Sequence, residues 1–254
     1  MRNLLFCISL VLVSLPSATA RAAVTFLGPT AYLSAADSPF AAHLGSPHFH
    51  LETFEDGELD TPGISQPSDS IFGTLAHGIV VGPSQFTDSV DGDDGVLDGS
   101  GSGGHSFRTN LHLTAPTSPP QNVFSFDFHF SEDALGNFPT HFGFVWTDGP
   151  PGSTLGFLVT EGDGSSFSFY SPEVMSGGSR NGETAEDRFY GVQSDTGIAA
   201  VTITGGYVGA LGFDVIEIDH LQYGTTTVPE PTSQLLWVMA IIAFGGLGWE
   251  ARRG

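Results

Sequence analysis

Phenylalanine takes every second position in FSFDFHF, residues 124–130. Successive strand side chains point to opposite faces, so Phe124, Phe126, Phe128 and Phe130 line one face while Ser125, Asp127 and His129 line the other. The pattern predicts a half-buried strand. HFGFVWTDG repeats the scheme with Phe142, Phe144 and Trp146 inward, then leaves through a Thr-Asp-Gly turn into Pro150 and Pro151. TLGFLVTEGDG, SFSFY, GIAAVTITGG and GFDVIEIDHLQYG read as further strands closed by glycine-containing turns. Between the two chain ends no stretch sustains a helical period over three turns. AYLSAADSPFAAH, residues 31–43, holds a turn or two at most, because Pro39 interrupts it.

Many short strands, a phenylalanine-rich core and closely spaced turns predict an all-β domain: an antiparallel β-sandwich, jelly-roll-like, with a barrel as the alternative. No repeat recurs at a fixed period, which argues against a propeller or solenoid. The predicted organisation is a signal peptide at 1–20, a lead-in at 21–50 that adds an edge strand, and a sandwich domain at 51–224. A linker at 225–231, a transmembrane helix at 232–250 and a basic cytoplasmic tail at 251–254 complete it.

Both chain ends depart from the alternating pattern. At the start, Arg2 precedes an apolar run from Leu4 to Leu15, and Ala18-Thr19-Ala20 offers small residues for cleavage, with Ala22 and Ala23 as alternates. That is the order of a secretory signal. At the other end, Leu235 to Trp249 carries no charge, and as a helix it would span about 22 Å of a hydrocarbon core about 30 Å thick. Extended back to Thr232 it approaches a full span. Trp237 and Trp249 then sit at the interfaces, and Arg252 and Arg253 stay in the cytoplasm.

Charge narrows the partners. The chain has 28 acidic residues against 7 basic ones, for a net charge of −21, and every basic residue is an arginine. Only Glu230 and Glu250 of the acids lie outside residues 22–227, which leaves 26 acids against Arg108, Arg180 and Arg188 there, a net of −23. Such a surface repels a phosphate backbone, so nucleic acid is excluded, and cations are the natural counterparts. Cys7, the single cysteine, lies in the signal segment, so the exported part has neither a disulfide nor a thiol nucleophile.

Candidate chemistry is concentrated in a few places. DSVDGDDGVLDGSGSGG, residues 88–104, gathers Asp88, Asp91, Asp93, Asp94 and Asp98 among six glycines. Calcium takes six to eight hard oxygen ligands, and glycine lets a backbone fold around one ion, so Asp91, Asp93 and Asp98 are candidate calcium ligands. Gly95 breaks the EF-hand spacing, and a plain solvated acidic loop fits the same residues. His48 and His50 would share a strand face but lack a third ligand nearby. Asp127 with His129, or Glu132 with Asp133, could be cast as an acid and a base. No nucleophile elbow, phosphate loop or zinc-protease motif accompanies them, so the expectation is a protein that is not an enzyme. A sugar-binding face needs exposed rings, and Tyr170, Tyr190 and Tyr207, beside turns, are the candidates, whereas Trp146 shares a face with two phenylalanines and reads as core. Arg188, in AEDRFYG, reads as an internal partner for Glu186, Asp187 or a carboxylate on a neighbouring strand.

Two resemblances add to this. LETFEDG near the start of the domain and EIDHLQYG at its finish resemble the first and last strands of jelly-roll carbohydrate-binding modules. In that group terminal carboxylates commonly hold a structural calcium, which implies Glu55 and Asp219 as ligands, with Glu52 and Asp56 nearby. Val228-Pro229-Glu230-Pro231, the apolar run and the Arg252-Arg253 end resemble the PEP-CTERM sorting signal of Gram-negative, matrix-forming bacteria, over about the last 26 residues. YLSAADSPF, FEDG, DSVDGDDGVLDGSGSGG, PTHFGFVWTDG, AEDRFYGV and IEIDHLQYG are similar to acidic domains that accompany this tail. The resemblance implies an exosortase-type processing enzyme that recognises Pro229, Glu230, Pro231, Arg252 and Arg253, cuts near the triplet and releases the domain. The protein is thus expected in the inner membrane first, then at the cell surface or in the extracellular matrix. The leading expectation is a non-catalytic, calcium-stabilised surface or matrix protein. A carbohydrate-binding module or, further off, a polysaccharide-active enzyme is the alternative, with extracellular polysaccharide as the partner.

Overall fold

A computed structural model describes residues 24–66, 78–84, 87–90, 104–108, 121–148, 154–171, 187–208 and 216–226. The side chains of 121–124, 154 and 206–208 are outside that description. Among the described residues twelve strands carry the fold: β1 Val24–Ala31, β2 Phe49–Glu52, β3 Ile64–Ser65, β4 Ile79–Val81, β5 Ser106–Arg108, β6 Gln121–Phe130, β7 His141–Asp148, β8 Thr154–Glu161, β9 Ser166–Tyr170, β10 Arg188–Ser194, β11 Ile198–Val208 and β12 Glu217–Gly224. One short helix, α1 Glu132–Leu135, and a 3-10 turn, Ala35–Asp37, are the helical elements among the described residues. The expected turn or two in residues 31–43 is that 3-10 turn, capped by Ser34.

All pairings are antiparallel and form two sheets. The larger runs β1-β10-β7-β12-β5-β4, and β2 also pairs with β12 beside β5. The smaller runs β3-β6-β11-β8-β9. Their facing sides meet in one core. Phe126, Phe128, Leu155, Phe157, Val201 and Ile203 come from the smaller sheet, and Phe142, Phe144, Trp146, Tyr190, Val192 and Ile218 from the larger. The protein is therefore an all-β antiparallel sandwich. Phe126, Phe128 and Phe130 point inward as the alternation predicts, and so do Phe142, Phe144 and Trp146. Fully burying each such ring contributes on the order of 2–3 kcal/mol relative to exposure.

The two outer faces differ. Residues 32–49, together with residues 87–90, cover the outside of the larger sheet, where Tyr32, Phe40, Phe49 and Val90 pack on Val145 and Phe189. The segment expected as a lead-in is thus an integral layer. Its apolar residues are too widely spaced to show a period, which hides this role in the sequence. β1 is the expected edge strand and pairs with β10, with a register shift between Leu27 and Thr30. Gly28 makes the shift: its φ is +92°, and a Cβ there would lie 2.2 Å from the Phe189 carbonyl oxygen.

β12 lies at the centre of the larger sheet and is buried at every position. Its register against β7 shifts between Asp219 and Gln222, and His220 has a φ of 43°. This bulge turns two consecutive side chains toward the covering layer, which a regular strand does not allow. Asp219 accepts from the Val90 N–H at 2.9 Å, and His220 Nδ1 lies 2.8 Å from the Tyr32 hydroxyl.

Candidate functional site

The outer face of the five-stranded sheet has no covering layer among the described residues. Here the alternation that buries phenylalanine on one side presents small polar groups on the other. The register sets them in three cross-strand rows, read from β9 to β6: Tyr170, Gly156, Thr204, Ser125; then Ser168, Leu158, Thr202, Asp127; then Ser166, Thr160, Ala200, His129. With about 4.8 Å between neighbouring strands, each row spans about 14 Å.

Tyr170 is 78 % exposed, far more than any other large apolar or aromatic side chain among the described residues. Its ring lies beside Gly156, where an added Cβ would come 3.1 Å from the ring and 2.7 Å from Thr204 Oγ1. Glycine at 156 leaves the sheet surface flat next to the ring. Leu158, 38 % exposed in the adjoining row, extends the apolar strip. Thr202 Oγ1 donates to Asp127 Oδ1 at 2.7 Å, and Thr160 Oγ1 lies 3.4 Å from Ser166 Oγ. The face combines an exposed ring, a flat floor and fixed hydroxyl and carboxylate groups. Such a surface can stack on a ring with apolar C–H faces and exchange hydrogen bonds with its hydroxyls.

Tyr190 is fully buried, stacked on Phe144 at 6.0 Å between ring centres and packed against Phe26 and Phe157, so its expected place on a binding surface is corrected to the core. It lies inside β10, which sends its side chain inward. Tyr207 is in β11, with its side chain outside the described residues.

The two terminal carboxylates meet. Ser89 Oγ donates to Asp219 Oδ2 at 3.0 Å and to Glu55 Oε1 at 3.4 Å. Both carboxylates already accept protein donors: Asp219 from Val90 and the His220 N–H, Glu55 from the His105 N–H. Among the described residues no three His, Cys, Asp or Glu side chains group to hold a metal ion. The described donors alone therefore do not fit a calcium site, and Asp91, Asp93 and Asp98 lie outside the described residues. Glu52 makes its hydrogen bonds within the turn that follows β2. It is buried, accepting from the Phe54, Asp60 and Thr61 N–H groups and from Thr61 Oγ1.

Two further buried carboxylates with shifted pKa values, Glu161 and Glu217, are held by hydrogen bonds within the fold. Burial alone would raise Glu161, but hydrogen bonds from Ser194, Thr196 and Ser165 outweigh it and hold the carboxyl below its ordinary value. Burial pushes Glu217 up, opposed by the Asp88 N–H, Ser106 Oγ and Arg108. Arg188 donates to the Asp187 carbonyl oxygen at 2.8 Å. His48 and His50 line a groove of about 400 Å³ with Pro62, Leu135, Asn137 and Thr225. Burial and His48 lower the pKa of His50.

No family model matches the chain, and no curated protein matches it. Solved structures do overlap it. A carbohydrate-binding module, TmCBM61 in complex with β-1,4-galactotriose, shares 15 % identity over 68 % of this chain and 94 % of its own, with a TM-score of 0.34. The K2 cleaved adhesin domain of Lys-gingipain shares 13 % identity over 69 % of this chain and 98 % of its own, at a TM-score of 0.35. The enzymatically active domain of bacteriophage CBA120 tailspike protein 4 shares 16 % identity over 68 % of this chain, which spans 20 % of that structure, at a TM-score of 0.29. Overlap of this extent leaves the functional argument to the chain's own residues.

The sequence signal for the open face was the alternation in SFSFY, TLGFLVT and AAVTITGG. It reveals Thr202, Thr204, Leu158 and Tyr170 as one side of their strands. Sheet order, which sets them beside one another and beside Asp127, is a non-local fact that no single strand carries. The signal segment, the Pro-Glu-Pro triplet, residues 232–250 and the terminal arginines lie outside the described residues, among which no helix is long and apolar enough to cross a membrane.

Proposed function

We propose that the chain is an exported, non-catalytic surface or matrix protein whose jelly-roll-like sandwich binds extracellular polysaccharide on the outer face of its five-stranded sheet. The observation that carries this reading is Tyr170, 78 % exposed beside Gly156 and Leu158 on the sheet face that has no covering layer among the described residues. A pyranose presents an apolar C–H face to such a ring and equatorial hydroxyls to the Thr, Ser and Asp rows. Asp127, held by Thr202, offers its carboxylate as an acceptor for a sugar hydroxyl. Screening the full-length chain against a glycan array tests the reading. Tyr170→Ala should weaken the best ligand about tenfold, or about 1.4 kcal/mol, and Tyr170→Phe should keep most of the affinity. Equal binding by wild type and Tyr170→Ala would remove the face from consideration.

The same reading includes delivery and a structural ion. The signal segment at 1–20 and the tail carrying Pro229, Glu230, Pro231, Arg252 and Arg253 resemble the route in which an exosortase-type enzyme cuts an inner-membrane precursor. Mass spectrometry of the mature protein should find it ending near the triplet, and an intact Arg252-Arg253 end would overturn the route. Calcium in this reading rests on the sequence, on Asp91, Asp93 and Asp98 in the acidic, glycine-rich run that follows Ser89. Millimolar calcium should raise the melting temperature, and an unchanged midpoint would remove the ion.

A further inference from the structure

The charge on the open face carries the reading one step further, to the class of glycan. The five strands β3, β6, β8, β9 and β11 contain no lysine or arginine. Their charged or titratable polar residues are Asp127, His129 and Glu161, and Glu161 is buried beneath hydrogen bonds from Ser165, Ser194 and Thr196. The arginines of the described residues, Arg108 and Arg188, both belong to the larger sheet. Asp127 lies in the middle row of the face, and its carboxylate is fixed by Thr202 Oγ1. The rim adds further negative groups: Asp163, in the turn between β8 and β9, is fully exposed, and Glu132 and Asp133 follow β6. Arg180 lies outside the described residues.

We infer that this platform selects uncharged, hydroxyl-rich polysaccharide and rejects chains bearing uronate or sulfate. The inference rests on the polysaccharide-binding reading above. Two ranges of electrostatics act in the same direction. The net charge of the domain repels a polyanion at a distance, but at physiological salt this field decays over about 8 Å. At contact, Asp127 decides. A sugar carboxylate stacked between Tyr170 and β6 would face Asp127 with no cation on the intervening strands, whereas a neutral sugar supplies hydroxyl donors that the Asp127 carboxylate can accept. Rejection by a carboxylate needs no new contact; it needs only that the like charge has nowhere to be paired.

The test compares the full-length chain on neutral β-glucan and mannan with its behaviour on alginate and polygalacturonate. Affinity electrophoresis in EDTA, with folding checked by circular dichroism, prevents calcium from bridging two carboxylates. Neutral polymers should bind at least tenfold more tightly than uronates, and Tyr170→Ala should abolish most of that retention. Asp127→Asn, close to the same shape without the charge, should raise uronate binding several-fold and narrow the ratio. Uronate binding equal to or tighter than neutral binding, with Tyr170 still required, would overturn the charge selection and leave the binding face intact. Binding of neither class would remove the face and the selection together.

Discussion

Glu52 is 4 % exposed, yet its two oxygens accept three backbone N–H groups and one hydroxyl between Phe54 and Thr61. In a protein with so few cations, hydrogen-bond donors replace salt-bridge partners as the reason a carboxylate can be buried. Glu52→Ala would strand several donors of the turn after β2 and should cost about 2–4 kcal/mol, with Glu52→Gln costing less because the amide keeps one acceptor oxygen. Urea denaturation of both variants checks this. His141 presents the opposite case. Burial, and after it His43, lowers its pKa to about 4, so the neutral ring is the form that the fold accepts beside Phe40 and Phe49. Because the unfolded ring takes its proton near pH 6.5, the contribution of His141 is complete above that value and is lost as the pH falls from 6.5 toward 4. His141→Gln should make the stability profile shallower in that window, measured as the melting midpoint against pH.

At the scale of the element, β12 and the 32–49 layer depend on each other. The Tyr32 hydroxyl meets His220 Nδ1 at 2.8 Å and the Gln222 amide at 3.1 Å, and Ser38 Oγ donates to Gln222 Oε1. Tyr32→Phe deletes the shared hydroxyl inside a buried network and should destabilise the chain by about 1–3 kcal/mol, while the packing against Phe189 keeps the layer in place. Chemical denaturation gives the loss, and an unchanged midpoint would mean that the network contributes nothing. This pair also marks the border of what the sequence discloses. FSFDFHF and HFGFVW declare their inward faces, because one side of each is core and the other reads as polar. EIDHLQYG shows no such division, since both faces of β12 are covered and its polar groups are satisfied by partners more than a hundred residues away. Tyr190 was misplaced for the same reason. A tyrosine's hydroxyl suggests surface, and only the position of β10 between β1 and β7 decides that its ring is internal.

Over the whole molecule, the asymmetry of the two outer faces organises everything else. One sheet is closed by the N-terminal layer and carries the buried carboxylates at Glu52, Glu217 and Asp219, and the other keeps a polar face with an exposed ring. The order of the strands has a consequence in time. β12 is the last strand among the described residues, and its neighbours β7, β5 and β2 all precede it and do not pair with one another. Until it has emerged, β1-β10-β7 on one side and β5-β4 on the other keep unsatisfied edges, and the layer that packs on Val145 and Phe189 lacks its hydrogen-bond partners His220 and Gln222. A ribosome or a membrane channel that delivers this chain from its N-terminus therefore releases the five-stranded sheet and both flanks of the larger one before the strand that joins them. Closure of the larger sheet waits for β12.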